Sequence, residues 1–204
     1  MKTIAMVSQK GGAGKTTIAV HLAVCAELAG HRAAIIDVDP QASALEWYHR
    51  RQADTPEVIR ATPEQLSSLL DQARKNGANV VLIDTAPHSE RGALVAAGLA
   101  DQVLIPCRPA AFDVAAIGTT LGLLRLSGTI DRAAIVLNAV PPRGAQVEEA
   151  AKGLSALAKV VPVRLAQRAA YAYAVNDGRS VEEFEPHGKA AEEIRALYRW
   201  IMAS

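Results

Sequence analysis

Two rhythms of apolar residues alternate along this chain. Short runs rich in Val, Ile and Leu stand at Thr3–Val7, Ala33–Asp37, Val80–Asp84, Gln102–Ile105, Ala133–Leu137 and Val160–Val163, with Val58-Ile59 as a shorter candidate. Such runs carry no polar alternation, so both faces of each strand are expected to be buried. Between them lie longer stretches of helical character. They cover about Lys15–Ala29, a segment through Leu45–Tyr48, Thr62 to near Asn76-Gly77, Arg91–Ala100, Phe112–Leu126, Gln146–Ala158, Arg168–Val175 and Lys189–Ala203. Thr62-Pro63-Glu64-Gln65 reads as a capping box with proline at the first helical position. Gly30, and Asn176-Asp177-Gly178, mark turns. Strand and helix in alternation predict an α/β fold, a mostly parallel twisted sheet with helices on both faces. Pro162 cannot donate to a ladder, which places the last strand near an edge. No repeat, linker or low-complexity segment interrupts the pattern, so residues 1–204 are expected to form a single domain.

Composition narrows the class of protein. Half of the 204 residues are apolar and 4% are aromatic, and the formal net charge is +1. A chain so nearly neutral is not a polyanion binder as a whole, so any DNA contact must come from a local basic patch. No apolar run approaches the roughly 20 residues that span a bilayer, and the first residues lack a signal-peptide layout. Cys25 and Cys107 form no C-x-x-C pair, and the five histidines have no metal-site spacing. A reduced cytoplasmic protein is expected.

In open α/β sheets ligands bind outside the carboxyl ends of the strands. The stretches that fall there are Lys10–Thr17, Asp37–Gln41, Asp84–Pro87, Pro106–Pro109 and Asn138–Arg143, the polar, glycine- and proline-marked parts of the chain. The first is Lys10-Gly11-Gly12-Ala13-Gly14-Lys15-Thr16-Thr17, between an apolar strand and an Ala/Leu-rich helix. Glycines there let backbone N–H groups curl round an anion, and the helix dipole points its positive end at the same spot. This is the build of a phosphate-binding loop, and with it of a P-loop nucleoside triphosphatase. Lys15 would reach the β- and γ-phosphates of ATP, and the Thr16 hydroxyl would ligate Mg²⁺. Asp84, closing an apolar strand, stands where a Walker-B aspartate holds that metal. Asp37 and Asp39, two apart at a strand end, project to one side and can both face it. Asn138 carries an amide able to donate to and accept from a base. A turn-forming asparagine before Pro141-Pro142 is the other reading of the same residue.

The loop departs from the usual Walker pattern: Gln9 replaces the first glycine, and Lys10 precedes the Gly11-Gly12 pair. With Asp37-Val38-Asp39-Pro40-Gln41 this resembles the deviant Walker A of the ParA/MinD group of ATPases. Pro106–Pro109 with Phe112-Asp113 further resembles the I-P-x-x-P-S-x-x-D segment of the small plasmid-type ParA proteins, similar to plasmid ParF. The resemblance places Asp37 in the outer Mg²⁺ shell and gives Asp39 the task of orienting the attacking water. It sends Lys10 across the interface of an ATP-loaded homodimer to the partner's nucleotide. It also implies weak intrinsic ATP hydrolysis, stimulation by a ParB-like or ParG-like partner, and a role in partitioning plasmids or chromosomes or positioning other cargo. Non-specific DNA would be held by basic residues such as Arg168, Arg195 and Arg199, so that the ATP-bound protein is nucleoid-associated. Two rivals share the fold: a MinD-like membrane ATPase, and a metabolic enzyme of the dethiobiotin synthetase type. Asp39-Pro40-Gln41 speaks against the second. Against the first, the apolar stripe Ile194, Leu197, Tyr198 and Ile201 is expected to dock on the sheet, leaving no membrane contact.

Overall fold

Strands β1 (Lys2–Met6), β2 (Ala33–Asp37), β3 (Glu57–Arg60), β4 (Val80–Asp84), β5 (Gln102–Cys107), β6 (Ala133–Val140) and β7 (Val160–Ala166) build one sheet. Their order is β3-β2-β4-β1-β5-β6-β7, and every neighbouring pair is parallel. These elements come from a computed structural model of the chain, which describes residues 1–141 and 146–204. Pro142 and Arg143, counted above among the strand-end residues, lie outside the described residues.

Alternate residues of each strand feed two cores. Ile4, Met6, Ile35, Leu82, Leu104 and Val136 face one side, where they meet helices α1 (Lys15–Leu28), α2 (Ser43–Arg50), α7 (Ala169–Asn176), α8 (Val181–Phe184) and α9 (Lys189–Ala203). Ala5, Ile36, Val81, Ile83, Ile105 and Leu137 face the other, under α3 (Leu66–Lys75), α4 (Glu90–Leu99), α5 (Ala111–Leu126) and α6 (Gln146–Ser155). Burying each large aliphatic side chain stabilises the fold by about 1.5–3 kcal/mol. Truncating a central one, Leu82→Ala for example, would cost about 2–5 kcal/mol because the packed layers cannot close the void.

The expected parallel α/β architecture is therefore present, with β7 at the sheet edge and Pro162 exposed within it. Helix α9 buries Ile194, Leu197, Tyr198 and Ile201 against β7 and α1, so its apolar stripe serves the core. Two details differ from the sequence reading. The helix expected from Thr62 opens as a 3₁₀ turn, Pro63–Gln65, and becomes α-helical only at Leu66. There the Gln65 side chain accepts the Thr62 N–H at 2.8 Å. Helix α8 has no counterpart in the sequence reading. Its one local signal is the Ser180/Glu183 spacing, and the Glu183 carboxylate accepts the Ser180 N–H at 2.8 Å.

Strand β1 has β4 on one side and β5 on the other, so the chain changes winding direction there. The crevice outside its carboxyl end is where such a sheet binds ligands.

Candidate active site

That crevice is a cleft of about 570 Å³ lined on one side by Gly12, Gly14, Lys15, Thr16 and Thr17. Asp39, Arg108 and Asn138 stand around it, and Gln167, Arg168, Tyr171 and Asn176 form the far wall. Gly14 caps α1 with φ 100°, a conformation open to glycine at little cost. A Cβ at this position would lie 2.1 Å from the Asn138 amide nitrogen. That amide donates to the Ala13 carbonyl at 2.7 Å, tying β6 to the loop.

Lys15 is buried, and its ammonium donates to the loop carbonyls of Ser8 and Lys10 at 3.3 and 3.5 Å. Burial lowers its pKa, and the charges of Asp84 and Asp39 work against that. The Thr16 hydroxyl donates to one Asp84 oxygen at 2.6 Å. The other Asp84 oxygen is buried with no partner among the described residues. Burial raises Asp84 to a pKa of about 7, while the Thr16 hydrogen bond pulls the other way. Asp37 and Asp84 are paired in register on adjacent strands, which sets two fully buried carboxyls side by side. Both Asp37 oxygens are taken by backbone N–H groups, one by Asp39 at 3.0 Å and the other by Ala44 and Leu45 at 3.0 and 3.3 Å. Asp37 thus fixes the Asp39 turn and caps α2, while Asp84 keeps an oxygen to offer. Asp39 is half-buried, accepts the Gln41 N–H at 2.9 Å and faces the cleft.

A buried carboxylate oxygen lacking a partner costs free energy unless a cation or donor meets it. Thr16 and Asp84 therefore make a donor set for a small hard cation, one that takes few protein ligands and completes its shell with phosphate and water. Three non-glycine residues near these strand ends have left-handed backbones: Ala42 (φ 53°), His88 (φ 57°) and Ala139 (φ 50°).

Other expected residues fall elsewhere. Lys10 lines a narrow crevice with Asp113, Cys107 and Thr120, outside the main cleft. Gly11 is exposed at the turn, and Ala13 is buried. Arg168 lies at the cleft wall with its guanidinium on Glu193 at 2.7 and 3.0 Å, and Arg195 is bound to Glu182 at 2.8 Å. Arg199 is exposed. The three arginines do not form one open basic patch. The sequence reading did not connect Glu193 with Arg168; this carboxylate also accepts the Ala166 N–H and the Tyr171 hydroxyl, each at 3.0 Å. Nothing local in the sequence marks this carboxylate, because its partners are 22 to 27 residues away.

A parallel sheet with a glycine-rich loop at its switch point, a buried lysine, and a threonine–aspartate pair on adjoining elements defines a P-loop nucleoside triphosphatase. Residues 4–181 match the CobQ/CobB/MinD/ParA nucleotide binding domain. The chain belongs to this family and is a ParA-type ATPase within it. It is 34% identical to the maintenance of carboxysome distribution protein A of Gloeobacter kilaueensis, over 97% of this chain and 91% of that one. To the chromosome-partitioning ATPase Soj of Thermus thermophilus it is 28% identical, over 61% of each. Among solved structures, Cyanthece apo McdA superposes with a TM-score of 0.80 at 17% identity, covering 99% of both chains. The Pyrococcus horikoshii septum site-determining protein MinD with Mg-ADP gives a TM-score of 0.80 at 16% identity, covering 98% of this chain and 95% of that one.

Proposed function

We propose that this ATPase is a positioning switch: ATP draws two copies together, the pair binds DNA without sequence preference, and hydrolysis prompted by a ParB-like or ParG-like partner releases it. The cargo belongs to the class that relatives' names indicate, a carboxysome-like body or a chromosome. Residence would be cytoplasmic, on the nucleoid while ATP is bound.

The observation that carries this reading is the placement of Lys10. It follows the same strand as the phosphate loop yet lines a different crevice from Lys15. Lys15 and the α1 N-terminus already supply positive charge to the phosphates. A second lysine beside them that faces elsewhere suits a role across an interface. Mg²⁺ fits the orphaned Asp84 oxygen and the Thr16 hydroxyl, and when bound it supplies charge neutralisation at the phosphates. Asp39, half-buried at the cleft, suits the orienting of a water. Asn138 would face the base, and Arg199, with Arg168 and Arg195 once released from their carboxylates, would contact DNA phosphates. Against a membrane reading, the α9 stripe is already buried, and among the described residues no helix is long and apolar enough to cross a bilayer.

DNA co-sedimentation with ATP, ADP or no nucleotide tests the switch, using the unaltered chain and Asp39→Ala. Binding should require ATP and persist in the variant. Equal binding in all three states, or liposome binding in its place, would overturn the proposal.

A further inference from the structure

Arg108 follows β5 in the segment Pro106-Cys107-Arg108-Pro109, where two prolines restrict the backbone on either side. The buried Cys107 thiol donates to the Arg108 carbonyl at 3.3 Å, which holds the turn further. The side chain turns into the nucleotide cleft with Lys15, Thr16 and Asp39. Its Nη2 lies 3.9 Å from the point a Cβ on Gly12 would occupy, so the guanidinium stands over the phosphate loop. Among the described residues it has no ion-pair partner.

The other basic groups described nearby are either ion-paired or placed outside this cleft. The Arg168 guanidinium is held by Glu193, and Lys10 lines its own crevice beside Asp113. Among the described residues, that leaves Arg108 as the cation, besides Lys15, with donors to offer in this cleft. Its planar fork matches two oxygens of one phosphate, which a lysine cannot do. The inner phosphates fall to the backbone N–H groups at the α1 N-terminus, while the Lys15 side chain reaches further out. Gly12 lies on the loop's outward turn before that helix starts, so a group above it meets the outer end of a polyphosphate.

We propose that Arg108 is a second phosphate-contacting residue of this site, acting within its own subunit on the terminal phosphate of ATP and so setting the preference for triphosphate over diphosphate. The proposal rests on ATP occupying the cleft.

The test is calorimetric binding of a β,γ-imido ATP analogue and of ADP to the unaltered chain, Arg108→Ala and Arg108→Lys, at several protein concentrations. Arg108→Ala should weaken the triphosphate analogue roughly tenfold, about the worth of one charge-assisted hydrogen bond, and ADP less than about twofold on the same scale. Arg108→Lys should fall between, since it keeps the charge and loses the fork. Equal losses for both nucleotides, or no loss, would overturn the assignment. So would a loss that emerges only as protein concentration rises, which would place the contact across an interface. Absence of binding by the unaltered chain would instead bring down the nucleotide site, and this assignment with it.

Discussion

The amide of Asn138 and the backbone of Gly14 are in such close contact that no side chain fits between them: a Cβ on Gly14 would meet the Asn138 nitrogen at 2.1 Å. Gly14→Ala should therefore fail twice, through this clash and through a φ of 100° that alanine resists. We expect nucleotide affinity to drop at least about tenfold and stability by about 1–3 kcal/mol. Asn138→Ala relieves the clash but not the strain, so the double variant should recover only part of the loss in a thermal melt.

Asp84 sits in the core with one oxygen unpaired. Asp84→Asn removes a buried carboxyl yet keeps an acceptor for the Thr16 hydroxyl. The nucleotide-free variant should melt at or above the temperature of the unaltered chain. Its Mg²⁺-dependent turnover should fall on the order of 100-fold. A variant that melts lower and still turns over ATP would show that Asp84 is structural.

His21 lies in α1, fully buried, its Nδ1 accepting the Val181 N–H at 3.2 Å and its Nε2 without a partner. Burial presses its pKa down from 6.5 to about 3, against the weaker pull of the nearby Tyr171 backbone and the Glu183 charge. The unfolded chain therefore binds this proton first. The stability His21 confers is complete above pH 6.5 and is lost as pH falls from there toward 3. The expected slope is about 1.4 kcal/mol per pH unit in that window. Denaturant melts between pH 7 and 4 should show it, and His21→Gln, which can still accept the Val181 N–H, should flatten it.

Glu193 neutralises Arg168 and also pins the Ala166 N–H and the Tyr171 hydroxyl. If Arg168 reaches DNA, it must first leave that carboxylate. Glu193→Gln keeps an acceptor for the backbone while releasing the charge. In the ATP state it should bind DNA more tightly, with a salt dependence steeper by about one phosphate contact. An unchanged slope would remove Arg168 from the DNA face.

The strands and most helices were legible because local patterns fix them: unbroken apolar runs such as Val80–Leu82, a proline-led start at Thr62-Pro63, a stop at Gly30. The phosphate loop was legible for the same reason, since Lys10–Thr17 is contiguous. What escaped depends on distant partners. Asp37 reads as facing the metal site together with Asp39, yet backbone N–H groups of Asp39, Ala44 and Leu45 occupy both its oxygens. Arg108 reads as part of a proline-marked turn, and only the folded chain carries it over Gly12. Arg195 and Arg199 share a helix face by spacing, but Glu182 of α8, a helix with little local signal, draws one of them away.

Ala42, His88 and Ala139 hold backbone torsions that glycine would accept more readily; the first follows β2, the second falls between β4 and α4, and the third lies within β6 near its end. Evolution in a test tube for heat tolerance would find these sites early, since each glycine would let the chain relax. The same relaxation would free Asp39, Pro87 or Asn138 to wander. Hardier descendants of this molecule should then be sluggish ones, their melting points climbing as their grip on nucleotide slackens.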